Sequence, residues 1–187
     1  MLRQPWLLMA AILILAGCGG KSGASNIPLT KESDESAVAG IRWSYPSRWQ
    51  KGAPRMMRAA TYTLPASEGT TEGGECAVFF FGAGQGGDVD LNIQRWVTQF
   101  ENGVTTEKRS RTVGNIPITT VAIEGSYLSP GGPMMESQGV KPNYKLLGAV
   151  ISAPGGMVFF KLTAPKAVAD GAALEFDAMV ESVVAAP

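Results

Sequence analysis

The run "CAVFFF", residues 76–81, is wholly apolar and rich in aromatic rings. A run of that length without polar alternation reads as a strand buried at the centre of a sheet. The segments around it supply the sheet. "IRWSYP" (41–46) alternates as a strand does, and "RMMRAATYTLP" (55–65) reads as a second strand that Pro65 stops. "SEGTTEGGE" (67–75) has the glycine and threonine content of a hairpin connection. Residues 88–102 change period. Val89, Ile93, Trp96, Val97 and Phe100 recur at helical spacing, with Asp88 as N-cap, Asp90 in the first turn and Gly103 as the stop. "TTEKRSRTV" (105–113) alternates like an edge strand, and "ITTVAIEGSYL" (118–128) is another strand. Residues 129–143 read as a long loop. "YKLLGAVIS" and "GMVFFKLTA" then flank "APGG", a hairpin signal. A last helix is expected over 167–184, with Val168, Ala172, Phe176, Met179, Val180 and Val183 on one face. Strands outnumber helices and are mostly hairpin-linked. The expected fold is α+β: a single, mostly antiparallel β-sheet with two main helices packed on it.

The N-terminus carries different information. Residues 6–16, "WLLMAAILILA", follow Arg3 and are uninterruptedly apolar. They are too few to span a bilayer, which takes ~20 residues, and have the length of a secretory h-region. The run ends in "LAGC", which resembles the bacterial lipobox. Cleavage is expected between Gly17 and Cys18, with the Cys18 thiol carrying the lipid. The expected division is a signal peptide over 1–17, a lipidated N-terminus and flexible linker over 18–39, and a globular domain over 40–187. Acyl chains (palmitate among them) would hold Cys18 in a lipid bilayer. The expected location is the bacterial cell envelope, facing the periplasm. Gly19 stands where an inner-membrane retention Asp would, which in a Gram-negative host favours the outer membrane. With Cys18 acylated, Cys76 is the one remaining cysteine of two, so the domain holds together by packing without an internal disulfide. Basic and acidic residues number 16 each, and losing Arg3 tips the balance to slightly acidic. That excludes a strong electrostatic drive toward nucleic acid.

Candidate chemistry is sparse. Gly82, Gly84 and Gly87 spell G-x-G-x-x-G, but the motif follows three strands rather than one. About twenty residues on, "EKRSR" lies in an exposed alternating strand rather than the apolar parallel strand a dinucleotide site needs, and Asp88 and Asp90 crowd the helix start. The stretch reads as a tight turn, with the Gln85 backbone kept as a possible partner contact. The chain has no histidine, which removes Ser-His-Asp and Cys-His catalysis and His-ligated metals. Cys76 reads as a buried small hydrophobe. Asp88/Asp90 read as helix-start chemistry and Asp177/Glu181 as a solvated helix face. "GDVD" lacks the other ligands of a calcium loop. Met56 and Met57 are expected on opposite faces of a strand. Met134 and Met135 sit in the long loop, whose length makes it the expected partner-contacting element. Trp43, Trp49 and Trp96 read as core. No metal and no cofactor are expected.

Several of these stretches together resemble a known family: "W-x-x-P-x-x-W" (Trp43, Pro46, Trp49), "RW" and "QF" around Arg95 and Phe100, "VFFKLTAP" (158–165) and "F-D-A-M-V-x-S" (176–182). Over residues 40–187 the chain is similar to bacterial lipoproteins with a PsbP-like α/β/α fold. That fold also serves an extrinsic photosystem subunit and a nuclear-import factor that binds a small GTPase. The resemblance implies a non-catalytic domain, not an enzyme, that binds an envelope protein or assists assembly; it implies no nucleotide and transfers no site residues. The alternative is a carrier of a small apolar ligand or lipid in a sheet–helix pocket.

Overall fold

A computed structural model describes residues 26–33, 37–129 and 139–187. The elements are Leu29–Lys31 (β1), Ile41–Arg42 (β2), Ser44–Pro46 (β3), Gln50–Lys51 (β4), Ala60–Leu64 (β5), Gly74–Phe80 (β6) and Val89–Val97 (α1). They continue with Phe100–Val113 (β7), Ile116–Leu128 (β8), Val140–Ala153 (β9), Gly156–Pro165 (β10), Lys166–Gly171 (α2), Ala173–Glu181 (α3) and Val184–Ala185 (β11). Seven strands form one sheet in the order β4-β5-β6-β10-β9-β8-β7, and every neighbouring pair is antiparallel. Two short ladders, β1 with β3 and β2 with β11, flank it. The fold is the expected antiparallel α+β sandwich.

β6 and β10 lie side by side near the middle, which is why their sequences are apolar on both faces. Along β10, Val158, Phe160 and Leu162 enter one core with Trp43, Trp49, Tyr62, Phe176 and Met179, under α2 and α3. Phe159 points the other way, into a second core with Ile93, Trp96, Phe100, Tyr127 and Val150, under α1. The two cores are built from residues between Ile41 and Val183, so a chain of residues 26–187 contains both complete. The α1 core depends on a close approach. Trp96 lies flat enough on β9 that a Cβ at Gly148 would come within 2.3 Å of its ring carbon Cζ3 and 3.0 Å of Val121.

Four boundaries differ from expectation. The folded domain begins before residue 40. β1 pairs with β3, and Glu32 is only 8% exposed. Tyr62 Oη donates to Glu32 Oε1, Lys51 Nζ pairs with Glu32 Oε2, and Trp43 Nε1 donates to Tyr62 Oη at 2.9 Å. Polar tether composition concealed a carboxylate that completes a buried network. α1 ends at Val97, and Phe100 starts β7 instead of closing the helix. It is buried all the same, so its spacing fitted a helix while its partner was Tyr127 of β8. Residues 140–143, expected in the long loop, belong to β9. The C-terminal helix is two helices, with Gly171 ending α2 and Ala172 joining them.

Removing residues 26–39 is expected to cost about 3 kcal/mol by urea unfolding, because Tyr62 and Lys51 lose their buried carboxylate. Equal stability of chains starting at 26 and at 40 would mean that β1 and Glu32 do not belong to the fold. Gly148→Ala is expected to cost about 2 kcal/mol, since the Trp96 ring must move out of its seat.

Candidate functional site

The glycine-rich stretch after β6 is a loop closed by α1. Asp88 is the N-cap, accepting from the Leu91 N–H at 2.8 Å. Asn92, fully enclosed in the first turn, donates to the Gly86 carbonyl (2.5 Å) and the Asp88 carbonyl (2.8 Å). Gly82, Gly84, Gly86 and Gly87 have φ between 71° and 104°, which side chains rarely adopt. β6 is antiparallel to both its neighbours, so no parallel βαβ unit surrounds the motif. Asp90 pairs with Lys108 at 2.6 Å. The stretch is the tight turn into a capped helix that its sequence suggested. Gln85 lies exposed within it.

The two faces of the sheet are covered unequally. α2 and α3 lie on one face. On the other, α1 packs on β7 and β8, and Trp96 reaches across to the Phe159 ring of β10. The β5–β6 part of that face is paved by long polar side chains. A row across it runs Thr61, Ala77, Lys161, Gly148, from β5 through β6 and β10 to β9. Arg58 lies along the row, with its NH1 at 2.7 Å from Glu75 Oε1 and 3.3 Å from Thr61 Oγ1, and its guanidinium 5.7 Å above the Phe79 ring. Arg55 takes the other oxygen of Glu75 at 3.0 Å. Lys161 stands between small neighbours and donates to Gln99 Oε1 at 2.5 Å, with the Tyr127 ring 5.5 Å away. Among the described residues no carboxylate forms an ion pair with Lys161. Three cations therefore stand here beside one carboxylate, which pairs with Arg55 and Arg58.

Burial, and next the Arg58 charge, pull Lys161 down to about 8. Unfolding returns it to the ordinary lysine value of about 10.4. Between these values the unfolded chain holds a proton that the folded chain has released, so the Lys161 contribution to stability rises with pH from about 8 toward 10.4. Below pH 8 both states are charged and the cost of burying the charge persists. Two kinds of group oppose that rise: buried Cys76, whose unfolded thiol ionises from about pH 8.5, and the raised tyrosines above about pH 10. Lys161→Met is expected to lower the slope of stability against pH between about pH 8 and 9.5 relative to the parent. A slope unchanged from the parent in urea unfolding contradicts the assignment.

The other residues singled out from sequence have settled places. Cys18, Gly17, Met134 and Met135 lie outside the described residues. Met56 and Met57 do not straddle a strand. They sit at the tip of a turn before β5, 91% and 69% exposed. Cys76 is fully buried, and burial pushes its thiol well above the usual range. Asp177 and Glu181 are not left to repel each other, because Arg111 of β7 reaches both, at 3.2 and 3.1 Å. Trp49 Nε1 donates to Glu175 Oε2 at 2.9 Å, and Arg48 pairs with the other oxygen. All three tryptophans are core. A cleft of about 310 Å³ beside β1 is lined by Lys31, Glu32, Arg42, Ser44 and Ser182 with Trp43 and Val184, a mixed charged and apolar lining. Sequence reasoning passed over Lys161, Arg58 and Glu75. The available signal was a lysine set inside the apolar run "VFFKLT".

Comparison with solved structures decides the architecture. The chain superposes on cyanobacterial PsbP (CyanoP) from Synechocystis sp. PCC 6803 with a TM-score of 0.53 and 14% identity, over 91% of this chain and 98% of that one. The fold is PsbP-like. The Ran-binding protein Mog1p of Saccharomyces cerevisiae shares this PsbP-like fold, with a TM-score of 0.52 and 8% identity over 86% of this chain and 96% of that one. No protein-family model and no curated protein matches the sequence.

Proposed function

We propose that this chain is a non-catalytic, lipid-anchored domain of the bacterial envelope that binds a protein partner through the β5–β6 part of its α1 face. The observation that carries the reading is the half-face left without a helix, where Arg55 and Arg58 share the carboxylate of Glu75 and Lys161 has only the Gln99 amide oxygen. A surface with cations in excess on a chain of zero formal net charge suits an acidic partner. A PsbP-like fold lends support, since one protein that shares it is described as Ran-binding. The lipobox-like "LAGC" supports the anchor, and acylation of Cys18 would set the domain in the envelope.

A photo-crosslinking residue at Thr63, exposed in β5, tests the surface in intact cells. A discrete adduct that Arg58→Glu abolishes is expected. Adducts from Leu174, exposed on α3, with none from Thr63 would move the binding surface to the other face. Cys18→Ser is expected to abolish acylation and release the protein from membranes without unfolding it. Membrane retention at parental levels would overturn the anchor.

A further inference from the structure

The turn before β5 is built in a way that neither the sheet nor a protein-binding half-face requires. Residues 55–58 read Arg-Met-Met-Arg. The Arg58 N–H donates to the Arg55 carbonyl at 3.2 Å, closing a four-residue turn with the methionines at its tip. Met57 is the third residue of the turn with φ 64°, where glycine or asparagine is ordinary. The chain thus holds a large apolar side chain in a left-handed conformation, in solvent, beside a second methionine that is 91% exposed. Such strain with no core contact to fix it points to use at a surface. The turn is not isolated. Arg58 connects it to Phe79, which stacks on Phe81 at 6.0 Å, and Phe81 is 43% exposed. A convex apolar tip, an exposed ring and flanking arginines therefore share one end of the sheet.

We propose that this tip is a membrane-contact site: Met56, Met57 and Phe81 enter the headgroup region of a bilayer while Arg55 and Arg58 pair with anionic lipid phosphates. A protein groove would need the apolar residues to fill a complementary pocket. A bilayer accepts a protruding, flexible thioether pair from any azimuth, and arginine flanks match an anionic surface. The position of the fold's start adds to this. The first strand begins at Leu29, so only about ten residues separate it in sequence from Cys18. That step rests on the lipid-anchor reading; the chemistry of the tip does not.

The test uses residues 26–187, which carry both cores and lack Cys18, so that failure here is separable from failure of acylation. Co-sedimentation is measured with vesicles of phosphatidylglycerol and phosphatidylcholine in equal parts, and with phosphatidylcholine alone. Binding to the anionic vesicles is expected to be at least about fivefold tighter and to weaken with salt. Met56→Ser with Met57→Asn is expected to lower it about tenfold and Arg55→Gln about threefold, with unfolding temperatures retained because these side chains are exposed. An environment-sensitive dye on Met56→Cys, with Cys76 buried and unreactive, is expected to shift to the blue on anionic vesicles. Equal binding to both vesicles, undiminished binding of the methionine variant, or an unshifted dye overturns the proposal. So does binding to an acidic glutamate–tyrosine copolymer without binding to vesicles, which assigns the tip to an acidic protein instead.

Discussion

Burial of β10 on both faces is the constraint on which the rest of the structure depends. Its alternate residues feed two cores, so each side of the sheet must carry a layer. On one side α2 and α3 follow β10 directly in sequence and fold back over it. On the other, α1 has to come from the far connection between β6 and β7, which lie four strands apart. One nine-residue helix cannot cover seven strands. It covers the β7–β8 side, fixed there by the seat that Gly148 leaves for Trp96, and the β5–β6 side is left to polar side chains.

The same packing explains where the buried polar groups go. Trp43 and Trp49 fill the larger core, and each indole N–H has a partner: Tyr62 for the first, Glu175 for the second. Tyr62 in turn passes its own proton donation to Glu32, which draws the N-terminal segment into the domain. The buried carboxylates are met by cations at the rim, Lys51 and Arg48. These ties leave the tryptophans structural. They leave Lys161, half-buried, as a cation whose hydrogen-bond partner is a neutral amide, and this sets the α1 face apart chemically.

Much of the fold was legible in the residues. The apolar runs of β6 and β10, the hairpin at "APGG" and the Asp88 cap are local signals, and each stands where its pattern put it. Each misplacement fitted a local pattern. Phe100 fitted helical spacing, Glu32 fitted a tether and Met56/Met57 fitted an alternating strand. The first two were decided by partners distant in sequence, Tyr127 and Tyr62, and the methionines by lying in an exposed turn rather than in β5. The candidate face was less legible still. Arg58, Glu75, Gln99 and Lys161 come from four separate segments, and nothing in their spacing announces that they meet.

The sequence by itself determined the class of the molecule: an antiparallel sheet with helices, no histidine chemistry and no disulfide within the domain. These follow from periodicity and composition, which act over a few residues at a time. Tertiary structure alone decided which strands are neighbours, where the domain starts and which half of the sheet stays uncovered. Those depend on side chains far apart along the chain meeting on the same two faces, as Trp96 of α1 does over Gly148 of β9.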